Sequence, residues 1–205
     1  ANNGVDGAGI MPNVSALALT TGAGRSICVS CATSAINYSI LLRESGHDVK
    51  VINASYGAGG TAHRNAVEEA GKSGILVVAA AGNGGADQVG DDNDTQPFAP
   101  ASLDFDHVIS VAATDSADAL AGFSNFGKTS VDLAAPGVFV PTAVANGSFS
   151  RPSGTSVSAP IVSAAAAALW SIHPTATVEE VRDQIFASVD VLPSLIDQVA
   201  TNGRL

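Results

Sequence analysis

A chain of 205 residues with 46% hydrophobic content is long enough for one domain around one sizeable core. Its formal net charge is −10 and its nine basic residues are scattered singly, so no cationic cluster is available to neutralise phosphates and nucleic-acid binding is disfavoured. Only 14% of residues are charged and 5% aromatic, against 21 glycines, a composition suited to close backbone packing and unlike that of a disordered chain.

Along the chain, continuous apolar runs over 14–19, 49–54 and 75–80, then a fourth over 108–112, predict strands of a parallel sheet. A strand covered on both faces has no solvent side, so its residues need not alternate. Between the first two runs, residues 26–44 place Ile27, Cys31, Ala35, Tyr38 and Leu42 at three-to-four spacing, which predicts a helix. A second helix is predicted over 61–73, stopped by Gly74. The alternation of strand and helix points to one α/β domain of three layers over residues 1–205, with right-handed crossovers. Further on, 132–149 carries Pro136, Gly137, Pro141 and Gly147 and predicts short strands and turns. Residues 155–171 read as an alanine-rich helix so poor in charge that burial on all sides is expected. A last amphipathic helix begins after Thr177, its expected N-cap, and runs to about 187. The apolar run over 161–172 falls short of the roughly 20 residues that span a bilayer. The opening Ala1-Asn2-Asn3-Gly4 has neither the basic start nor the apolar run of a signal peptide.

Three segments carry chemistry. In Ser153-Gly154-Thr155-Ser156-Val157-Ser158-Ala159-Pro160 a serine enters a buried helix, in the positive field of its N-terminus. Read alone, this is equally an ordinary capped helix start. In Val77-Val78-Ala79-Ala80-Ala81-Gly82-Asn83-Gly84 a buried strand delivers an asparagine to the carboxyl edge of the sheet, where open α/β sheets bind ligands. A neutral amide there suits a developing oxyanion, though Gly-Asn-Gly is also a common turn. Residues Val51-Ile52-Asn53-Ala54-Ser55-Tyr56-Gly57 run into further glycines, a strand able to pair with an extended peptide or a plain crossover loop.

In this order the segments resemble the subtilisin-like serine proteases, the subtilases of peptidase family S8, over essentially the whole chain and specifically the C-terminal two-thirds of the catalytic domain. Val108-Ile109-Ser110-Val111, Phe123-Ser124-Asn125-Phe126-Gly127 and Val131-Asp132-Leu133-Ala134-Ala135-Pro136-Gly137 match the family's connecting framework. The resemblance implies a three-layer subtilisin-like fold with a mostly parallel central sheet, truncated at the N-terminus. It implies a secreted serine endopeptidase in which Ser156 is the nucleophile and Asn83 the oxyanion donor. Ser55 and Gly57 would bind substrate backbone, and Ala80, Ala81 and Gly82 would wall the pocket for the residue before the scissile bond. The family's aspartate and histidine precede the oxyanion asparagine, and the segment from Asn2 resembles the stretch just after the histidine helix. A missing N-terminal part of the domain is therefore expected to supply both, and this chain alone is expected to be inactive and poorly folded. The competing reading is a non-catalytic subtilase-like module that holds peptides without cutting them.

The resemblance also implies structural calcium, with Asn3 and Asp132 as candidate ligands, but no cofactor for catalysis. Asp91-Asp92-Asn93-Asp94 could bind calcium and reads more simply as a solvated loop. His47, His63, His107 and His173 fall outside the family's histidine motif and read as surface or turn residues. Cys28 and Cys31 lack further ligands for zinc and read as small buried apolar side chains. The expected partner is a polypeptide substrate, with neither nucleic acid nor membrane.

Overall fold

A computed structural model describes residues 9–11, 13–23, 26–144 and 147–205. Its framework is a six-stranded sheet built from β3 (Val51–Ala54), β4 (Leu76–Ala80), β5 (Val108–Thr114), β6 (Leu133–Pro136), β9 (Asp190–Val191) and β10 (Gly203–Arg204). The spatial order is β3-β4-β5-β6-β10-β9, parallel throughout except for the antiparallel β9–β10 pair. Every residue of β4 and β5 is buried, as their unbroken apolar runs require.

Alternation along these strands sorts side chains to two faces. Leu76, Val78 and Ala80 of β4 join Ile109, Val111 and Leu133 in a core shared with α3 (Thr155–Ile172) and α4 (Val178–Ala187). Val77 and Ala79 point the other way, into a core with Ile36 of α1 (Val29–Glu44) and Ala66, Val67 and Ala70 of α2 (Thr61–Lys72). A smaller cluster of Ala112, Val131, Ala134, Leu195 and Val199 closes the far end. The layers are thus α1/α2, sheet, α3/α4. Short antiparallel pairs, β1 (Gly22–Ala23) with β2 (Ser26–Ile27) and β7 (Thr142–Val144) with β8 (Ser148–Ser150), complete the strands.

Helix ends follow the local chemistry. Thr177 caps α4 by accepting from Glu180 N at 3.2 Å while the Glu180 carboxylate accepts from Thr177 N at 2.8 Å, a reciprocal box. Gly74 follows α2 at φ 73°, a left-handed value that a side chain would resist, and its N–H reaches Gly71 O at 2.8 Å.

Four expectations are corrected. Residues 14–19 form no strand: the run is largely exposed and has no strand partner among the described residues, Leu17 being 61% exposed. Apolar composition marks a segment that wants burial, but a strand also needs a neighbour, and the described residues give this one none. It lines a cleft of about 2060 Å³ whose other walls include Val51 and Ile52 of β3 and Ala164 and Ala167 of α3. The α3 helix, in turn, buries a stripe of Ser158, Ala159, Val162, Ala166 and Trp170 against the sheet and α4, while its cleft flank stays half-exposed. By length and composition alone α3 could cross a membrane; its stripe instead packs on β4, β5 and β6. His63 is fully buried, because position 63 shares the α2 face of Ala66, Val67 and Ala70. Cys28 and Cys31 are disulfide-bonded, Cys28 half-buried and Cys31 exposed, since α1 starts at Val29 and leaves them at its solvent-facing first turn.

Candidate active site

The parallel strands β3 and β4 both release their chains at one edge, and α3 begins there. Ser156 occupies the first turn of α3, preceded by Gly154 at φ 153°. A Cβ built on Gly154 would stand 3.2 Å from Ser156 Oγ and 3.5 Å from Asn83 Nδ2. The serine hydroxyl and the asparagine amide therefore converge on one point, and the missing side chain of Gly154 keeps that point open.

Asn83 is held by a residue that motif reading passed over. The Thr155 backbone N–H donates to Asn83 Oδ1 at 2.8 Å and the Thr155 hydroxyl donates to the same oxygen at 3.0 Å. Thr155 Oγ1 also accepts from Gly82 N at 3.2 Å, and the residue is fully buried. With Oδ1 taken by two donors, the amide orientation is set, and Nδ2 has no acceptor among the described residues. Ser156 Oγ makes no hydrogen bond among the described residues either. Two ties fix the start of α3: Gly154 N donates to Gly137 O at 2.8 Å, and Ser158 Oγ donates to Ala135 O at 3.0 Å.

A second chain of contacts joins β3 to α3. Ser163 Oγ donates to Asn53 Oδ1 at 3.1 Å, Asn53 Nδ2 donates to Ser55 Oγ at 2.9 Å, and Ser55 Oγ donates to Ser156 O at 3.0 Å. The Ser55 side chain thus holds the backbone of Ser156. Asn53 and Ser163 were readable by period, Asn53 two residues before Ser55 on a strand and Ser163 seven after Ser156 on a helix.

Of the other expected binding residues, Gly57 lines the cleft, and a Cβ on it would collide with the Phe98 ring. Gly82 abuts the same ring, so Phe98 forms a wall that no motif announced. Ala80 packs into the α3-side core. Ala81 is buried with its N–H on Val111 O and its carbonyl accepting from Asn93 Nδ2 at 2.9 Å, so its polar groups are engaged.

None of the four histidines is bonded to Ser156. His47 precedes β3, at the other end of that strand from Ser55, and lines the same large cleft. His173 caps the far end of α3, about 25 Å along the helix. His107 Nε2 is 2.8 Å from Val67 O, at the start of β5. His63 sits in the α1/α2 layer with Nδ1 3.3 Å from Thr33 Oγ1 and its ring edge-on to Tyr56. Burial lowers the His63 pKa and raises that of Tyr56 to about 12.

The described candidate cation ligands accept hydrogen bonds from the protein itself. Asp132 Oδ2 accepts from Ser110 N at 2.7 Å, and burial pushes its carboxyl up to about 6 against the pull of that amide and of Arg182. A single aspartate, with no group of three or more His, Cys, Asp or Glu side chains about it among the described residues, is by itself a sparse ligand set for calcium. Asp94 accepts from the Thr129 and Ser130 amides and hydroxyls; these outweigh the opposing effect of burial and hold its pKa down. Among the described residues no group of three or more His, Cys, Asp or Glu side chains is gathered to hold a metal. Asn3 lies outside the described residues.

A family model described as the subtilase family matches residues 1–203. Subtilisin amylosacchariticus of Bacillus subtilis subsp. amylosacchariticus is 34% identical over 197 residues, which is 93% of this chain and 48% of that protein. Subtilisin DY of Bacillus licheniformis is 37% identical over 183 residues, 86% of this chain and 61% of its own. Among solved structures, the prenylagaramide maturation protease PagA superposes with a TM-score of 0.73 at 25% identity, covering 91% of this chain and 68% of that one. The chain spans about half to three-fifths of the length of the two curated relatives.

Proposed function

The chain belongs to the subtilase family, and on that premise we propose that it is the serine-bearing part of a secreted serine endopeptidase. The observation that carries this reading is the convergence of Ser156 Oγ and Asn83 Nδ2 beside Gly154. Ser156 Oγ attacks the carbonyl carbon of a peptide bond as its proton passes to a histidine. The carbonyl oxygen becomes an oxyanion that accepts from Asn83 Nδ2 and from the first-turn amide of Ser156, which has no intrahelical acceptor. Collapse expels the amine, protonated by the histidine, and leaves an acyl group on Ser156, which water then removes. An asparagine in this role has been measured in a subtilisin, where its loss lowers kcat roughly 10²–10³-fold, and that figure sets the scale here.

The histidine and its aspartate are assigned to chain outside residues 1–205, entering the cleft beside β3. Two features support that assignment: an outer edge of β3 that pairs with no strand among the described residues, and a cleft lined at once by Val51, Ile52, Ser55 and Ser156. The substrate is an extended polypeptide laid along the 55–57 segment. The side chain before the scissile bond rests near Gly82 and the Phe98 ring, which favours an apolar residue. No nucleic acid or membrane enters the reading. A disulfide fits the oxidising compartment of a secreted protein.

The absence of any bond from the four histidines to Ser156 favours a second reading, a subtilase-like module that binds peptides without cutting. A serine-directed fluorophosphonate separates the two when applied to residues 1–205 and to a version extended upstream. Labelling at Ser156 in the extended protein alone is the expected result. A folded extended protein that stays unlabelled would overturn the protease reading in favour of the module.

A further inference from the structure

The Cys28–Cys31 disulfide lies across the first turn of α1, its Cα atoms 5.1 Å apart. Cys28 is the N-cap itself. Its sulfur accepts from Cys31 N at 3.2 Å and stands 3.4 Å from Ser30 Oγ, a second potential donor. Cys31 is exposed, and no acidic side chain occupies the first turn of α1. The two sulfurs therefore differ in kind: one is open to attack, and the other sits where a negative charge is stabilised by the helix end and by neighbouring donors.

We propose that Cys28–Cys31 is a reversible thiol–disulfide exchange site, attacked at Cys31 by small thiols of the glutathione class. In the first step the reductant's thiolate sulfur bonds to Cys31 Sγ. The Sγ–Sγ bond breaks and its electron pair departs on Cys28 Sγ, which accepts hydrogen bonds from the Cys31 N–H and the Ser30 hydroxyl. In the second step another thiolate bonds to the reductant sulfur of the mixed disulfide, the bond between that sulfur and Cys31 Sγ breaks, and its electron pair departs on Cys31 Sγ. Two reductant thiols become one disulfide, two electrons enter the protein, and the thiol protons are shared between solvent and the two cysteines. Attack at Cys31 is the faster route because the thiolate it releases is the better stabilised one. The pair follows directly on Ile27, which lines the large cleft. The exchange does not depend on what Ser156 does.

The test is incubation of the folded protein in a reduced/oxidised glutathione buffer without denaturant, quenching with N-ethylmaleimide, and peptide mapping by mass. Circular dichroism before and after reports that the fold persists. Both cysteines are expected to take label, and at short times a single glutathione adduct maps to Cys31. In a Cys31→Ser variant, iodoacetamide is expected to react with Cys28 along a pH profile centred below the ordinary thiol value of about 8.5. A disulfide that resists glutathione until guanidinium unfolds the protein overturns the proposal. So does an adduct that forms on Cys28 instead. The adduct mapping uses the unaltered chain, so it decides the matter even where the variant fails to fold.

Discussion

Asp132 shows what one residue's surroundings do to its chemistry. The sequence places an aspartate just before an apolar strand, and by resemblance that suggested a cation ligand. In the fold its carboxylate accepts from the Ser110 amide of the neighbouring strand, and burial lifts its pKa from 3.8 to about 6. Because the folded value lies above the unfolded one, the fold favours the neutral acid. That contribution is complete below about pH 4 and is lost as the pH rises through about 6, on the order of 3 kcal/mol in all. Asp132→Asn keeps an oxygen for the Ser110 amide and removes the charge. The variant should therefore be more stable than the parent at pH 7, with the gap closing toward pH 4. Urea midpoints of both proteins at several pH values test this, and a gap independent of pH would refute it. Thr155 makes the complementary point about legibility. Ser156 and Asn83 stood out in short motifs, because a serine at a helix start and an amide at a strand end leave local signals. That Thr155 orients Asn83 from 72 residues away could not, because the contact exists only once β4 and α3 share an edge.

Elements were legible where their causes are local. The α4 start was readable because Thr177 and Glu180 satisfy each other's amides within one turn, with no help from the rest of the molecule. Thr177→Ala should cost about 1 kcal/mol, which for a chain of this size lowers the thermal midpoint by about 2–4 °C. Calorimetry on the single variant checks it, and an unchanged midpoint would mean that packing of Val178, Val181 and Ile185, not the cap, holds the helix end. The runs that became β4 and β5 were equally plain, since both faces are covered and the whole run is apolar. Residues 14–19 have a similar composition and form no strand. The difference is a hydrogen-bonding neighbour, which is a property of the sheet and cannot be read from the run itself. The α3 helix shows the same division: its extent was clear from its alanines, but which flank would be covered was not.

Across the whole molecule, the two ends of the sheet are finished differently. At one end β9 turns antiparallel on β10, a short strand pair that leaves little unpaired backbone. At the other, β3 presents its outer edge to the large cleft, while β4 and β5 are paired on both sides. Local stability should follow that asymmetry, because an amide that opens without disturbing the core exchanges at a lower free-energy cost than one locked between two strands. Residues 1–205 are therefore expected to show faster hydrogen exchange in β3 than in β5, by at least about two orders of magnitude. Adding the upstream segment that the protease reading assigns to the cleft should slow β3 toward the β5 rate and leave β5 unchanged. The comparison bears on the candidate site directly, since Asn53 and Ser55 at the end of β3 carry the contacts that reach Ser156. If β3 is already as protected as β5 in residues 1–205, the cleft is a finished groove open to a peptide ligand, and the histidine for Ser156 must be sought elsewhere. If protection appears only with the added segment, the same strand edge that receives it also steadies the nucleophile, and assembly of the sheet and assembly of the active site are one event.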